Sequence, residues 1–420
     1  MNPSLFSLSV FQIFGLICAS QVELPGGWSV SPDSKVEPDV FGGGPRYLTW
    51  MADSIMKHGI EPEGSYTVSA CLSGIMLAYE RTGDSKYLGF VRYMADILLY
   101  PADNGKDILF YNGSTSIDDI RYGHTYLDMY AATGDEIYKT AASQFRAQID
   151  SSHRNSLGGF DHRYPDYADE MWLDGIFMLD VYYARWTREM EPENATAWDD
   201  IALQFDLIDA GTRSNPDRYH GLPVHGFDVS KTRVWADPET GAAPHVWARA
   251  VGWYLMSLVE VLQLFPASHP GYGRMLGYLR SLCDAVVAAQ DDKTKGWWLI
   301  MTPGTEGIWG NYIESSGSSM FVVGLMKALR LGFVEGQRYQ QSALAGYELM
   351  TSTFARPRGS DGALTYQWTV QTGSLSSNGT FEYYASMPLF ENDLKGVSPF
   401  LFASYEYELL EEAKNHSQVS

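Results

Sequence analysis

Cysteine is nearly absent: the 420 residues contain three, Cys18, Cys71 and Cys283. So few cannot make a disulfide scaffold, and a core of this size needs none. Cys18 falls in an apolar leader. Cys71 and Cys283 sit in apolar, helix-like surroundings, where two buried thiols are as consistent as one bridge. No CxxC motif or Cys/His cluster occurs, which speaks against a structural zinc site. Positive charge is also scarce. With 30 Lys+Arg against 51 Asp+Glu, the net charge is -21 and the pI ≈ 4.7. A general affinity for nucleic acid or for an anionic membrane is thereby excluded, and an anionic ligand would need a local cationic clamp. After the first twenty residues no apolar run is long enough to cross a bilayer. A Pro/Gly/Ser-rich linker that would cut the chain into domains is missing too.

Apolar and aromatic residues are plentiful, at 45% and 14%, enough for a large core and far from a disordered composition. Residues 1–20, MNPSLFSLSVFQIFGLICAS, are mostly apolar, end in small residues and are followed by QVELPGG. That pattern reads as a cleavable signal peptide, leaving 21–420 as a single domain of a secreted, extracellular protein. Sequons at Asn112, Asn194, Asn378 and Asn415 agree with export. The chain is expected to act as a monomer.

An internal repeat organises the sequence. Tyr79-Glu-Arg-Thr-Gly-Asp-Ser-Lys-Tyr87 and Tyr130-Ala-Ala-Thr-Gly-Asp-Glu-Ile-Tyr138 share the pattern YxxTGDxxY, 51 residues apart. Each copy joins two amphipathic stretches. Gly83 and Gly134 suit the left-handed position that ends a helix, and Asp84 and Asp135 suit the cap of the next. The unit is a helical hairpin, and such a period reads as a stack or ring of helix pairs. Further helical stretches are 169–187, 197–213, 245–265, 272–289, 315–332 and 337–353. With about twelve helices in six pairs, the fold expected is all-α, an (α/α)6 barrel. Strand-like alternation is confined to short segments such as 297–301 and 363–368.

The loops between these helices are rich in Trp, His, Asp and Gly. One cluster, Gly158-Gly-Phe-Asp-His-Arg-Tyr-Pro165, leads into Asp169-Glu-Met-Trp-Leu-Asp-Gly175. Others are Leu222-Pro-Val-His-Gly-Phe-Asp228, Val234-Trp-Ala-Asp-Pro-Glu-Thr-Gly241, His245-Val-Trp-Ala-Arg-Ala-Val-Gly-Trp253 and Gly310-Asn-Tyr-Ile-Glu-Ser-Ser-Gly317. Aromatic faces beside carboxylates suit sugars, whose pyranose faces stack on rings while carboxylates handle hydroxyls and protons. Asp174 opens a helix, where a carboxylate is as often a simple cap. Trp172 and its aromatic neighbours would instead desolvate it, raise its pKa and keep it protonated as a general acid. Arg249 is the natural fork for a substrate carboxylate, against the alternative of a structural ion pair. Trp247, Arg249 and Trp253 share no helical face, so all three can line a cleft only if Trp247 and Arg249 precede the helix.

The segments DDIRYGHTYLDMYAATGDEIY, GGFDHRYP…EMWLDGIFM, HGFD…WADPETG, WARAVGW and ESSGSSMFVVGLMKALRLG occur in this order. Together they resemble glycoside hydrolase family 105, the unsaturated rhamnogalacturonyl hydrolases, with unsaturated glucuronyl hydrolases as relatives. The resemblance runs from about residue 45 to about 400. It implies an (α/α)6 enzyme that removes a 4,5-unsaturated uronic acid from the non-reducing end of lyase-made oligosaccharides. It places the principal acid/base on Asp174 and the second carboxylate on Asp118, with the adjacent Asp119 as a competitor on the substrate side. It also implies substrate contacts from His162, Arg163, Trp172, His225, Trp247, Arg249 and Trp253. The chain departs from the family pattern at Arg121-Tyr122 and in WARAVGW.

The chemistry so implied is hydration of the C4=C5 vinyl ether. Asp174 protonates C4, and a water held by the resulting carboxylate attacks C5. The hemiketal then opens and the glycosidic link is lost without attack at C1. Neither metal nor organic cofactor is required. An ordinary glycosidase on saturated glycans and a non-catalytic secreted glycan-binding protein are the competing readings.

Overall fold

The computed structural model describes residues 35–101, 108–110 and 116–419. The leader-like segment 1–20 and the sequon at Asn112 lie outside them. Twelve helices form the body. They are α1 (Tyr47–His58), α2 (Tyr66–Thr82), α3 (Ser85–Asp96), α4 (Gly123–Thr133) and α5 (Glu136–Ser151). Helix α6 starts at Leu173–Gly175 and passes through a π-helical turn, Ile176–Asp180, into Val181–Met190. Then come α7 (Ala195–Thr212), α8 (Ala248–Leu262), α9 (Pro270–Ala288), α10 (Ser315–Arg330), α11 (Gln337–Leu349) and α12 (Leu394–Val419).

The hairpins close as the repeat requires. Gly83 and Gly134 end α2 and α4 at φ 68 and φ 71, and Asp84 and Asp135 cap α3 and α5 by accepting from Lys86 N and Ile137 N. Alternate helices differ in patterning. α5 buries Tyr138, Ala141, Ala142, Phe145 and Ile149, a single stripe at helical spacing. In α8, every residue but Glu260 is buried. The even-numbered helices pack in sequence α2–α4–α6–α8–α10–α12, and α12 packs back on α2 to close the ring. The odd-numbered helices lie outside them. This is the expected (α/α)6 toroid.

Close approach inside the ring depends on missing side chains. A Cβ on Gly317 of α10 would stand 2.7 Å from Ala248 Cβ and 3.2 Å from Arg249 N, so this glycine sets how tightly the start of α8 is seated.

Two readings of the sequence change, and one left open is decided. The segment 169–187 is not one helix: Asp169 turns at φ 66, Glu170–Trp172 form a strand, and the helix begins at Leu173. That strand pairs antiparallel with Gly226–Asp228, Trp172 opposite Gly226. A Cβ at Gly226 would lie 2.7 Å from Met171 O, so the pairing needs glycine there. Two helices had no sequence signal, α1 and α12, the latter accommodating Pro399. Cys71 and Cys283 are both buried and unbridged. Among the described residues, no helix is long and apolar enough to cross a membrane.

Candidate active site

The first turns of the six inner helices gather at one mouth of the ring. Tyr66 opens α2, and a short 3-10 helix, Ile117–Tyr122, carries Asp118 and Asp119 into α4. Asp174 lies in the first turn of α6, and Arg249 in that of α8. Glu314 caps α10, accepting from Gly317 N at 2.7 Å, and Lys395 lies in the first turn of α12.

Asp174 is largely buried. Burial by itself raises its pKa, but His225, then His162 and Arg249, outweigh burial, so the carboxyl falls below its ordinary value. The sequence-based expectation of a desolvated, protonated Asp174 is therefore corrected: with no substrate bound it is a carboxylate. The cause is the pair of imidazoles and the guanidinium, which hydrophobic patterning cannot reveal. His225 Nε2 stands 3.1 Å from Asp174 Oδ2, close enough for charge pairing but off the line of a hydrogen bond. On its other side, His225 Nδ1 lies 2.7 Å from the Tyr384 hydroxyl. Burial pushes the Tyr384 phenol well above its usual range, so it keeps its proton.

Asp118 brings another carboxylate to this mouth. Its Oδ2 accepts from Ser116 Oγ at 3.0 Å and Arg163 Nη2 at 3.4 Å, and its Oδ1 lies 3.4 Å from His162 Nε2. Asp119, next on the same turn, is half-buried. His162 is buried, and that burial holds its pKa below the usual histidine value against the pull of Asp118 and Asp174. Its ring stacks on Trp172 at 4.2 Å and 17°. Trp172 thus packs on His162 and, at 4.8 Å, on Tyr167, with its Nε1 donating to Glu170 Oε2 at 2.7 Å. Burial pushes Glu170 up to about 7, despite hydrogen bonding from Trp172 and the charge of Arg233, 2.6 Å away. Glu170 fixes the indole.

Trp247 precedes α8, while Arg249 and Trp253 lie within it, one turn apart. Trp247 packs on His225 at 4.7 Å and on Tyr384 at 5.6 Å. Trp253 packs on Phe177 at 4.5 Å and on Tyr66 at 6.3 Å, flooring the cleft. The Arg249 fork is engaged by the protein itself. Nη1 donates to Val370 O at 2.7 Å and Ser316 Oγ at 3.2 Å, and Nη2 to Gln371 O at 2.6 Å. No carboxylate pairs with it among the described residues, so its charge acts through space on Asp174 while its hydrogen bonds pin the 370–371 loop.

Two further residues complete the site. Tyr384 bonds a histidine 159 positions away, a separation no local pattern encodes. Tyr66 lies in the fields of Asp118, Arg249 and Asp174, and burial raises its phenol pKa. The site therefore assembles one carboxylate held ionised, a second on a neighbouring helix, and a Tyr–His pair backing the first, walled by tryptophans.

Comparison with known proteins agrees. The model of Glycosyl Hydrolase Family 88 matches residues 48–410. A solved family 105 glycoside hydrolase from C. acetobutylicum superposes with a TM-score of 0.80 at 33% identity, covering 87% of this chain and 99% of that one. Protein Atu3128 of Agrobacterium fabrum is 33% identical over 198 residues, 45% of this chain and 83% of its own length. The unsaturated rhamnogalacturonyl hydrolase YesR of Bacillus subtilis is 25% identical over 281 residues, 65% of this chain and 72% of its own length. Fold, site and matches define a class first: the protein is a glycoside hydrolase. Within that class, the chain belongs to family 105, inside the span of the family 88 model.

Proposed function

We propose that this enzyme removes a 4,5-unsaturated galacturonyl unit from the non-reducing end of lyase-generated rhamnogalacturonan oligosaccharides, by hydration of the C4=C5 bond. The observation that carries the reading is Asp174 itself, a buried carboxylate backed by the His225–Tyr384 pair at a mouth lined by helix N-termini. Six inner-helix N-termini give that mouth a positive polarisation that suits a uronate. The relation to YesR supports the rhamnose-linked substrate.

In this reading the substrate carboxylate brings a second negative charge towards Asp174, raises its pKa and lets it take up a proton. Asp174 then gives that proton to C4. A water positioned by Asp174 and Asp118 adds its oxygen to C5 and returns its proton to Asp174. The C5 hemiketal collapses with cleavage of the bond between C5 and the ring oxygen, giving a C5 ketone and a C1 hemiacetal. The hemiacetal expels the aglycone as an alcohol. One water is consumed in all. Tyr384 donates to His225 Nδ1, which fixes the imidazole with Nε2 on the Asp174 side. Both are positioning residues.

The test is to incubate the purified protein with lyase-treated rhamnogalacturonan-I and follow the ultraviolet absorbance of the conjugated double bond. Absorbance should disappear at the rate at which the new reducing end forms. Product release without loss of absorbance, or equal turnover of saturated oligosaccharides, overturns the proposal, and turnover confined to unsaturated glucuronyl substrates overturns its galacturonyl part. Export belongs to the same proposal, and the N-terminal sequence of protein recovered from culture medium decides it.

A further inference from the structure

The rim of the cleft carries an arrangement that the reaction does not use. The loop between Met301 and Tyr312 holds Trp309 at 96% exposure. Its backbone is well tied nonetheless. Asn311 Oδ1 accepts from Ile300 N at 3.1 Å, and Asn311 Nδ2 donates to Ile300 O and Thr305 O, each at 2.9 Å. Thr305 Oγ1 donates to Thr302 O at 2.7 Å. A loop braced this way holds its indole out in water, which mere connection does not require.

The loop is joined to the cleft on both sides of Trp309. A Cβ placed on Gly310 would be 3.2 Å from Ala385 Cβ, the residue after Tyr384. Tyr312 lies in the fields of Glu314 and Arg249, and its hydroxyl is buried with no hydrogen-bond partner. The Tyr312 ring is 6.3 Å from that of Trp368. Trp368 is 44% exposed and adopts φ 66, a left-handed conformation that costs a bulky residue energy and marks ligand clamps. Its carbonyl accepts from Ser315 N at 3.2 Å, and two and three residues further on are the carbonyls that hold Arg249. Aromatic side chains thus lead outward from Arg249 through Tyr312 to Trp368, with Trp309 exposed on the loop that Tyr312 ends.

We propose that Trp368 and Trp309 form an outer carbohydrate subsite, which stacks pyranose rings of the leaving oligosaccharide beyond the sugar that bears the uronate. The proposal rests on the reading above, in that it takes the aglycone of a uronate seated at Asp174 to leave over this rim. Indole faces supply apolar area to sugar C–H faces at little cost in conformational entropy.

Two measurements test it. In Trp309→Ala, the ratio of kcat/KM for an unsaturated tetrasaccharide to that for the disaccharide should fall five- to tenfold, through KM and not kcat. An unchanged ratio overturns the subsite. Independently of turnover, the tryptophan emission of Asp174→Asn protein should respond to saturated rhamnogalacturonan hexasaccharide, and the response should be lost in Asp174→Asn/Trp309→Ala. A response that survives in the double variant, or none in either, overturns it as well. Wild-type enzyme inactive on both unsaturated substrates would refute the proposed reaction, and the emission titration would still decide the subsite. Because Trp309 packs on so little, equal melting temperatures will show that the fold is intact.

Discussion

The same six inner helices build both mouths of the ring, yet the mouths are opposite in character. At the catalytic mouth the helices begin, and polar atoms are left without hydrogen-bond partners: Asp174 Oδ2, His225 Nε2, His162 Nδ1 and Trp247 Nε1. At the far mouth the helices end around a cavity of about 680 Å³, and three of the four Lys and Arg side chains lining it are held in ion pairs. Lys327 bonds Glu260 at 2.6 Å, Arg330 bonds Glu406 at 2.6 Å, and Arg185 bonds Asp128 and Glu189. Such cations near helix C-termini complement the dipoles. Both mouths are concave and both are charged. What separates them is how much charge and hydrogen-bonding capacity remains to be used.

The sharpest way to break that comparison is Asp174→Asn, which keeps the shape of the catalytic mouth and removes its proton carrier. A fall in kcat of about 10³-fold or more is expected from general acid–base catalysis with charge stabilisation, with substrate binding largely retained. Turnover within tenfold of wild type would mean that the unsatisfied groups at this mouth are not the chemistry.

Next in size is His225→Gln, which tests how Asp174 is held ionised. Burial raises the pKa of Asp174, while His225, His162 and Arg249 lower it, and they win. If kcat/KM requires protonated Asp174 in the free enzyme, it rises towards acid and falls as pH increases through that depressed pKa. Removing His225 deletes the largest lowering influence, so the falling limb of kcat/KM should move to higher pH. The rate at its optimum should drop by about 10²-fold as the imidazole that positions Asp174 is lost. A limb that stays in place would show that His225 does not set this pKa.

How much of this was legible in the sequence follows the range of the interactions. The hairpins were readable because Gly83 with Asp84, and Gly134 with Asp135, carry their geometry within one turn. The carboxylates and cleft aromatics were readable as loop clusters and through the resemblance, which placed Asp174, Asp118, His162 and His225 at the mouth where they are found. The protonation of Asp174 was misread, because it depends on groups from three other stretches of chain meeting in space. Likewise, the Arg249 fork looked available because its acceptors lie 121 and 122 residues away. The strand Glu170–Trp172 was taken for helix, because its partner sits beyond α7.

The smallest effect is expected at the far mouth, and it bears most directly on whether the comparison is sound. Arg121 is buried, lines that cavity, and lies over the Phe177 ring at 4.7 Å. Its Nε and Nη1 have no hydrogen-bond partner. Burial pushes its pKa down to about 10, against the opposing charges of Asp128 and Glu260. An exchange of such a guanidinium for an apolar chain of similar length removes a desolvation cost along with a modest attraction and a cation–π contact. Arg121→Met should therefore change stability by no more than about 1 kcal/mol, in either direction, read as a small shift in melting temperature. Turnover should stay within a few-fold, because Phe177 and Trp253 separate this residue from the catalytic cleft. A large loss of stability would show that Arg121 is satisfied in solution by something bound in the cavity, and the far mouth would then have to be counted as a second functional end of the ring.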